Sequence, residues 1–378
     1  MAIKLRSPYY TGTAIPNTAY ATLDISIWEG SSASPVTAQY NLRKSIVGTS
    51  TSVFFEISEL VRDYIDITFD GNYTGQNVWT KTIQTVYNSS GAVIATIPLT
   101  TIAFDGYSYF EEPFFSLNNY PVLITNREIF ALEDNVFRIP IHTINNPTVT
   151  FYLNNEIIST QTFASSIQSS EQIKYVSIYG DSVNWDTFQE RVLEDNGKYE
   201  PNACLQSFFD NYSIGAVDKI TVSANGKIET IKVNVIEECK YEPKKVTFIN
   251  RFGALQDMYF FKKRVEKMVV EKESYKSNIL NSFYQYDTSN HVNRDFNVVG
   301  KESITLSSGF LSEEYNEVFK QMMLSEKVWV TNILETGEQV VPINVKTSEI
   351  TYKTSLNNKL VEYTIEFDKS FDTINNIR

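Results

Sequence analysis

Apolar and polar residues alternate along much of this chain, which is the pattern of β-strands with one buried face. Within residues 1–115, apolar residues at helical spacing over 60–65 also predict one short helix, with Ser58 as its N-cap. The expected strands of this segment span 20–30, 52–57 and 78–99, the last as a hairpin turning at 88–91. Short strands at these intervals predict an immunoglobulin-like β-sandwich.

The same alternation continues through residues 116–245 and predicts a second immunoglobulin-like β-sandwich. Its clearest signal is a hairpin over 219–238, because Asn225-Gly226 suits the positive φ angles of a type I′ turn. Asn154-Asn155 is a candidate for a second hairpin turn, and 186–193 for a short helix. Further strands are expected over 135–142, 148–160 and 173–180.

Residues 246–378 are expected to form an antiparallel, barrel-like β-domain that carries one amphipathic helix over 312–324. Ser312 is the expected N-cap of that helix. Its predicted buried face, with spacings of three and four residues, consists of Tyr315, Val318, Phe319, Met322 and Met323. Three strands are expected after it, over 327–333, 339–354 and 359–371, with a turn at 356–358.

Composition supports a mainly β protein of several domains. The chain has 378 residues, more than one hydrophobic core usually serves, and it is 42% hydrophobic and 13% aromatic. Its net charge of −12 disfavours general binding to nucleic acid, which needs clustered Lys and Arg. The N-terminal residues lack a secretory signal, and no apolar run approaches the ~20 residues of a membrane span, so folding in the cytoplasm is expected.

Residues that commonly run catalysis or bind metals are few and poorly spaced. Cys204 and Cys239 form neither a CxxC motif nor a disulfide framework, although a single bridge between them stays open. His142 and His291 lack the spacing of a metal site. Paired carboxylates such as Glu111-Glu112 leave a glycan hydrolase as a distant alternative. The sequence therefore predicts a protein that is not an enzyme, with no catalytic residues, cofactor or metal.

The strongest functional candidate is a charged run over 262–276 (KKRVEKMVVEKESYK), followed by a loop rich in aromatic residues. The run is either a long exposed strand or an arm that crosses a subunit boundary, where its charges would fix register. The loop aromatics either anchor an interface or cap the sheet core. The predicted assembly interface comprises Lys262, Lys263, Arg264, Glu266, Lys267, Phe283, Tyr284, Tyr286 and Phe296.

Three segments of the last third, over 246–263, 308–330 and 360–371, resemble virion tail structural proteins of phages that infect Bacteroidetes, including crAss-like podoviruses. This resemblance implies a homo-oligomeric ring around the DNA passage, in contact with other tail, portal or fibre proteins. DNA would be passing cargo only. The resemblance implies location in the virion tail after assembly in the host cytoplasm, and it brings no catalytic residues.

A glycan-binding module of a tail or surface protein is the main alternative. Trp28, Trp79 and Trp185, together with abundant tyrosines, would then form a platform on which sugar rings stack.

Overall fold

A computed structural model describes most of the chain. The described residues are 2–29, 35, 37–46, 52–112, 117–132, 136–142, 147–162, 173–179, 183–185, 217–236, 240–278, 280, 283–285, 288–334, 337–352 and 360–374. Five of the predicted features lie outside them: the helix at 186–193, the turn at 356–358, Cys204, Cys239 and the interface residue Tyr286.

The protein is mainly β, as the sequence predicts, with 56% strand in several antiparallel sheets. The strands up to residue 142 are β1 (Ala2–Lys4), β2 (Tyr10–Ala14), β3 (Tyr20–Trp28), β4 (Tyr40–Ser45), β5 (Ser52–Glu56), β6 (Val78–Tyr87), β7 (Val93–Phe104), β8 (Glu128–Leu132) and β9 (Val136–His142). The next are β10 (Thr148–Leu153), β11 (Glu156–Thr162), β12 (Ile173–Tyr179), β13 (Val183–Trp185), β14 (Lys219–Ala224), β15 (Lys227–Ile236), β16 (Lys244–Ile249) and β17 (Leu255–Phe260). The last are β18 (Arg264–Lys276), β19 (Asn293–Ser307), β20 (Leu311–Ser312), β21 (Val328–Leu334), β22 (Gly337–Val345), β23 (Leu360–Val361) and β24 (Thr364–Lys369).

Two compact units are present. The first consists of Met1–Glu237, Thr247–Met258 and Glu314–Ser325, and the second of Glu238–Val246, Tyr259–Glu313 and Glu326–Arg378. The predicted helix of the last third thus groups with the first unit. The division into domains at residues 115 and 245 stays a prediction.

In the first unit, β1-β7-β6-β3-β4 form one sheet and β2-β5 form another. Every second residue of β3 faces the core of the two sheets: Ala21, Leu23, Ile25 and Ile27 are all buried. They share one core with Val53 and Phe55 of β5. The predicted hairpin of β6 and β7 is confirmed by their antiparallel register.

Two further sheets belong to the first unit, with orders β11-β10-β14-β15-β8 and β13-β12-β9. Both predicted asparagine turns are confirmed. Asn154 and Asn155 have φ angles of 50° and 68°, and Asn225 and Gly226 have 51° and 72°. These left-handed conformations let a tight turn connect antiparallel strands.

The described residues include two α-helices, α1 (Ser58–Arg62) and α2 (Tyr315–Met323). Both predicted N-caps are wrong. Ile57 caps α1, while Ser58 lies inside the helix and its N–H donates to the Glu56 carboxylate at 2.9 Å. Ser312 belongs to β20, which pairs with β23, so the backbone there is extended and α2 begins only after Glu314.

The second unit contains a sheet of order β17-β16-β21-β22-β24-β19-β18, to which residues 259–260 of β17 and 244–246 of β16 contribute. Two strand predictions need correction here. The strand expected over 339–354 ends at Val345, beyond which the Lys346 and Thr347 N–H groups both turn to the Glu366 carbonyl. The strand expected over 359–371 is in fact two strands, β23 and β24. They are interrupted at Tyr363, whose N–H donates to the Ser308 hydroxyl instead of to a backbone carbonyl of a neighbouring strand.

Candidate assembly surface

The charged run predicted from sequence forms one side of a long two-stranded ribbon. β18 pairs antiparallel with β19 from Arg264↔Leu306 to Lys276↔Asn293. On its other side, β19 pairs with β24 only from Ser303 to Ser307. We call residues 268–276 and 293–302 the ribbon, because in the described part of the chain they extend the β18–β19 pair past β24.

A β-bulge divides the ribbon. Glu271 pairs with Val299 but Glu273 pairs with Phe296, so β19 carries one extra residue at this point. Asn297 there has a φ of 55°, the left-handed conformation that asparagine tolerates. The shift brings the rings of Tyr275 and Phe296 to the same face, 5.5 Å apart and nearly perpendicular. Past the bulge, an edge-to-face aromatic pair therefore supports the ribbon.

The β18 strand of the ribbon is exposed along its whole length, although it contains several large apolar residues. All 13 residues of β18 are exposed. Its apolar members and their exposed fractions are Val265 (50%), Met268 (57%), Val269 (42%) and Val270 (49%). Large exposed apolar side chains that stand together on one element mark interaction surfaces rather than ordinary solvent-facing residues.

Charges on the two strands pair across the ribbon. Lys301 donates to both carboxylate oxygens of Glu271, at 2.8 and 2.9 Å, and this contact raises the pKa of Lys301. Lys272 lies 2.6 Å from Asp295. Exposed ion pairs contribute little stability each, but they favour one register between the strands.

Four of the nine predicted interface residues, Arg264, Glu266, Lys267 and Phe296, lie on β18 and β19 next to or within the ribbon. Arg264 lies at its base, held by Glu242 at 2.6 Å and Glu266 at 3.3 Å. Phe296 lies past the bulge. Lys262 and Lys263 precede β18, and Lys267 lies within it. That these residues form an interface stays a prediction.

The loop between β18 and β19 presents the most exposed aromatic residues of the predicted set. Phe283 is 79% exposed and Tyr284 is 88% exposed. Tyr284 also has a φ of 57°, unusual for an aromatic residue. Tyr286 lies outside the described residues. Exposure of this extent argues that Phe283 and Tyr284 do not cap the core of the sheet.

A groove of about 330 Å³ lies beside the base of the ribbon in the second unit. Its lining includes Met268, Ile304, Val330 and Ile343, together with Glu302 and Lys369, which pair with each other. The lining of the groove combines apolar side chains with charged ones. It extends the candidate surface from the ribbon onto the sheet.

Sequence reasoning missed a buried polar turn in the first unit, at residues 250–254 between β16 and β17. The Asn250 side chain accepts from the N–H groups of Phe252 (2.9 Å) and Ala254 (3.2 Å). It donates to the Leu123 carbonyl (2.7 Å) and to Gln256 (3.0 Å). The signal in the sequence was available, since NRFGA repeats the N-x-x-G-A pattern of residues 88–92, which contain the turn predicted at 88–91.

Two buried basic residues lie near this turn. Arg251 is 6% exposed and bonds the Glu112 carboxylate, with its guanidinium 4.8 Å from the Tyr109 ring. Lys4 is 7% exposed and donates to the Tyr107 carbonyl at 3.0 Å. Burial, assisted by the nearby Arg251 charge and opposed by Glu112, lowers the pKa of Lys4 to about 6.

A buried carboxylate, that of Asp257, lies on β17, the strand that follows the turn at 250–254. Asp257, 3% exposed, accepts hydrogen bonds from the hydroxyl groups of Thr247, at 2.7 Å, and Tyr73. Burial and the Asp257 charge raise the pKa of Tyr73 well above its usual value, so its phenol stays a donor. These contacts fix residues 247–257 in place.

The other candidate sites occupy structural positions. His142 is buried at the end of β9, and its carbonyl accepts from Asn225 at 3.2 Å. Asp70 and Asn72 form a local turn in which Asp70 accepts the Asn72 N–H at 3.0 Å. In the described part of the chain, no group of three or more His, Cys, Asp or Glu could hold a metal ion.

Two of the three tryptophans of the glycan hypothesis, Trp28 and Trp79, are cross-strand neighbours on β3 and β6. The rings of Trp28 and Trp79 stack with centroids 6.4 Å apart. Trp79 is only 7% exposed, so its ring offers a sugar little surface. The side chain of Trp185 lies outside the described part of the structure.

Neither a comparison with protein-family models nor one with curated proteins finds a match for this chain. Of the helices among the described residues, none is long and apolar enough to cross a membrane.

Proposed function

We propose that this protein is a non-enzymatic structural subunit of a bacteriophage virion tail, where copies of it form a ring. The observation that carries the assembly role is the ribbon, whose two long strands expose valines, a methionine and aromatic residues. Soluble monomers rarely expose so much apolar surface on one element, and such surface marks interaction sites. The tail role is supported by the resemblance of the C-terminal segments to tail proteins.

The ring would contact neighbouring tail, portal or fibre proteins after assembly in the host cytoplasm. Its contacts would be head-to-tail surfaces that close by rotation. A net charge of −12 suits a ring through which DNA passes, because an acidic lumen does not retain phosphates.

We further propose that residues 1–115 and 116–245 are immunoglobulin-like β-sandwiches and that 246–378 are barrel-like. For the first segment, the support is a single core that joins the five-stranded sheet to β2-β5, the two-layer packing of a sandwich.

The test combines particles and purified protein. Mass photometry of the purified chain is expected to show a closed oligomer, and cryo-EM of virions from the source phage is expected to place it in the tail. Replacing both Phe283 and Tyr284 by Ser is expected to weaken the affinity between subunits at least tenfold, since exposed aromatic residues anchor interfaces. The thermal unfolding midpoint should hardly change.

Phe110→Ser is the matched control, because Phe110 is 98% exposed but lies away from the ribbon in the sequence. It should leave the oligomer intact. A protein that stays monomeric at all concentrations and is absent from particles would rule out the proposed function.

A further inference from the structure

The outer edge of β18 is open to another strand. β18 is last in the order of its sheet, and among the described strands only β19 pairs with it. Along such an edge, alternate backbone N–H and C=O groups point outward and can continue the ladder. The extra residue of the bulge lies on β19, so the outer edge of β18 keeps regular spacing.

The side chains along this edge have a charge pattern that changes sign at every charged position when the strand is reversed. Residues 266–272 read Glu266-Lys267-Met268-Val269-Val270-Glu271-Lys272. Three apolar residues stand at the centre, and a Glu-Lys pair in the same order stands at each end. Reversing the direction of the strand therefore exchanges Glu with Lys at every charged position.

We propose that two copies of this chain pair antiparallel through β18, on a two-fold axis at Val269. In this register Glu266 faces Lys272 of the second copy, and Lys267 faces Glu271. Met268 faces Val270, and Val269 faces itself. Within residues 266–272 every charge meets its opposite and every apolar residue meets an apolar one, which is the arrangement that stabilises cross-strand pairs. Just outside this stretch, Val265 faces Glu273 of the second copy. The contact is isologous, so it closes on itself as a dimer.

Other arrangements lose this complementarity. In parallel pairing in register, each charged residue faces the same residue of the second copy, so like charges meet. Moving the axis to Val270 sets Met268 against Lys272 and Val269 against Glu271. Moving it to Met268 sets Arg264 against Lys272, two like charges, which destabilise a pair when directly opposite. Lys and Glu on an edge strand usually prevent pairing, and here the same residues disfavour each of these alternative arrangements.

The inference rests on the proposed role of the ribbon as an assembly surface, and it names the partner and the register. The two-fold contact would join subunits in addition to the head-to-tail contacts of a ring. It does not depend on whether the assembly is a virion tail.

Disulfide trapping tests the register directly. Val269→Cys, in a chain whose Cys204 and Cys239 are replaced by Ser, places two thiols opposite each other across the axis. Directly opposite residues in an antiparallel pair have Cα atoms about 4.5–5.5 Å apart, within the range for a disulfide. Mild oxidation is expected to convert most of the protein to a covalent dimer.

Val265→Cys in the same background is the control, because Val265 is about as exposed as Val269. In the proposed register the two copies of residue 265 lie about 27 Å apart, at 3.4 Å per residue. This variant should stay monomeric on a non-reducing gel. Equal cross-linking of the two variants, or none in either, would overturn the register.

A charge-swap experiment tests the contacts without cysteine. Lys267→Glu alone sets Glu against Glu271 of the second copy, and Glu271→Lys alone sets Lys against Lys267. Each variant is expected to lose the dimer in native mass spectrometry. Mixing the two restores opposite charges at every position, so a heterodimer should form. Loss of the Glu271–Lys301 pair within one chain affects the pure and the mixed sample alike.

The outcomes separate this inference from the proposed function. If mixing restores no heterodimer while the protein still oligomerises and enters particles, only the strand pairing is wrong. If the cysteine and charge-swap results hold but the protein is absent from virions, the pairing stands and the tail role fails.

Discussion

Asn250 shows how one side chain can hold a buried turn. Its amide satisfies two backbone N–H groups of its own turn and reaches Leu123 and Gln256, while the residue is fully buried. The N–H of Gly253, which has a φ of 80°, completes the turn by donating to the Asn250 carbonyl. Buried polar groups are costly when unpaired, so each of these contacts depends on the amide.

Asn250→Ala is expected to reduce the free energy of unfolding by about 3 kcal/mol or more, because it leaves several buried donors and acceptors without a partner. Asn88→Ala is the matched control. Asn88 accepts from the N–H groups of Ser90 and Ala92 in the same pattern, but at the surface, where water can replace it. Urea unfolding of both variants measures the difference. Equal losses would show that burial of the Asn250 turn is not decisive.

Lys4 makes stability depend on pH. Its pKa falls from an ordinary 10.5 to about 6 in the folded protein, because burial disfavours the charged amine. Between these values the unfolded chain binds a proton that the folded chain does not, so stability should rise with pH from about 6 to 10.5. The slope cannot exceed about 1.4 kcal/mol per pH unit for one group.

Lys4→Met is expected to flatten this rise, measured by urea unfolding between pH 7 and pH 9. Lys44→Met is the control, because Lys44 also donates to a backbone carbonyl, at 2.9 Å, but from an exposed position. The control should keep the slope of the parent protein. A slope that survives Lys4→Met would mean that another group takes up the proton.

At the scale of elements, the sequence predicts those strands whose two faces differ. β3, β6 and β14 alternate between buried and less buried residues, and their turns carry asparagine and glycine at the positions with positive φ. β16 and β17 are buried at every position, so no alternation marks them. Their hairpin was missed even though its turn repeats the motif of residues 88–92.

For the helix α2, the sequence predicts that the helix exists but not where it begins. Its apolar spacing predicts the helix correctly, with Tyr315, Val318, Phe319 and Met322 buried. Its start depends on β20 pairing with β23, some fifty residues away. Local capping rules cannot detect a partner at that distance, so Ser312 looks like a cap and is a strand residue.

The candidate surface was predictable in composition but not in geometry. Charges interleaved with valines over 264–276 predict an exposed strand, which the structure has. The bulge and the pairing of Tyr275 with Phe296 depend on the register with β19. Register is a property of two strands, and the sequence of one strand does not contain it.

For the whole molecule, the ribbon should be separable from the fold. Beyond Val270 and Gly300 the strands β18 and β19 pair with each other, while β24 pairs with β19 only from Ser303 to Ser307. Val270 and Gly300 are directly opposite, so Asn-Gly can replace residues 271–299 as a two-residue turn. This ribbon-deleted variant removes no pair between β19 and β24.

The ribbon-deleted variant keeps residues 266–270 of the edge but lacks Glu271, Lys272 and the exposed loop aromatics. It is expected to unfold within a few degrees of the parent protein and to be monomeric by sedimentation velocity, because Glu266 and Lys267 lose their partners in the second copy. A tip-deleted variant, with Asn-Gly in place of residues 277–292 between the opposed Lys276 and Asn293, loses the exposed loop aromatics but keeps the edge at 266–272. Combined with Val269→Cys, it should still form the covalent dimer. If the ribbon-deleted protein assembles as the parent does, the contacts between copies lie elsewhere on the molecule. If the tip-deleted protein loses the covalent dimer while staying folded, the loop and not the edge holds the copies together.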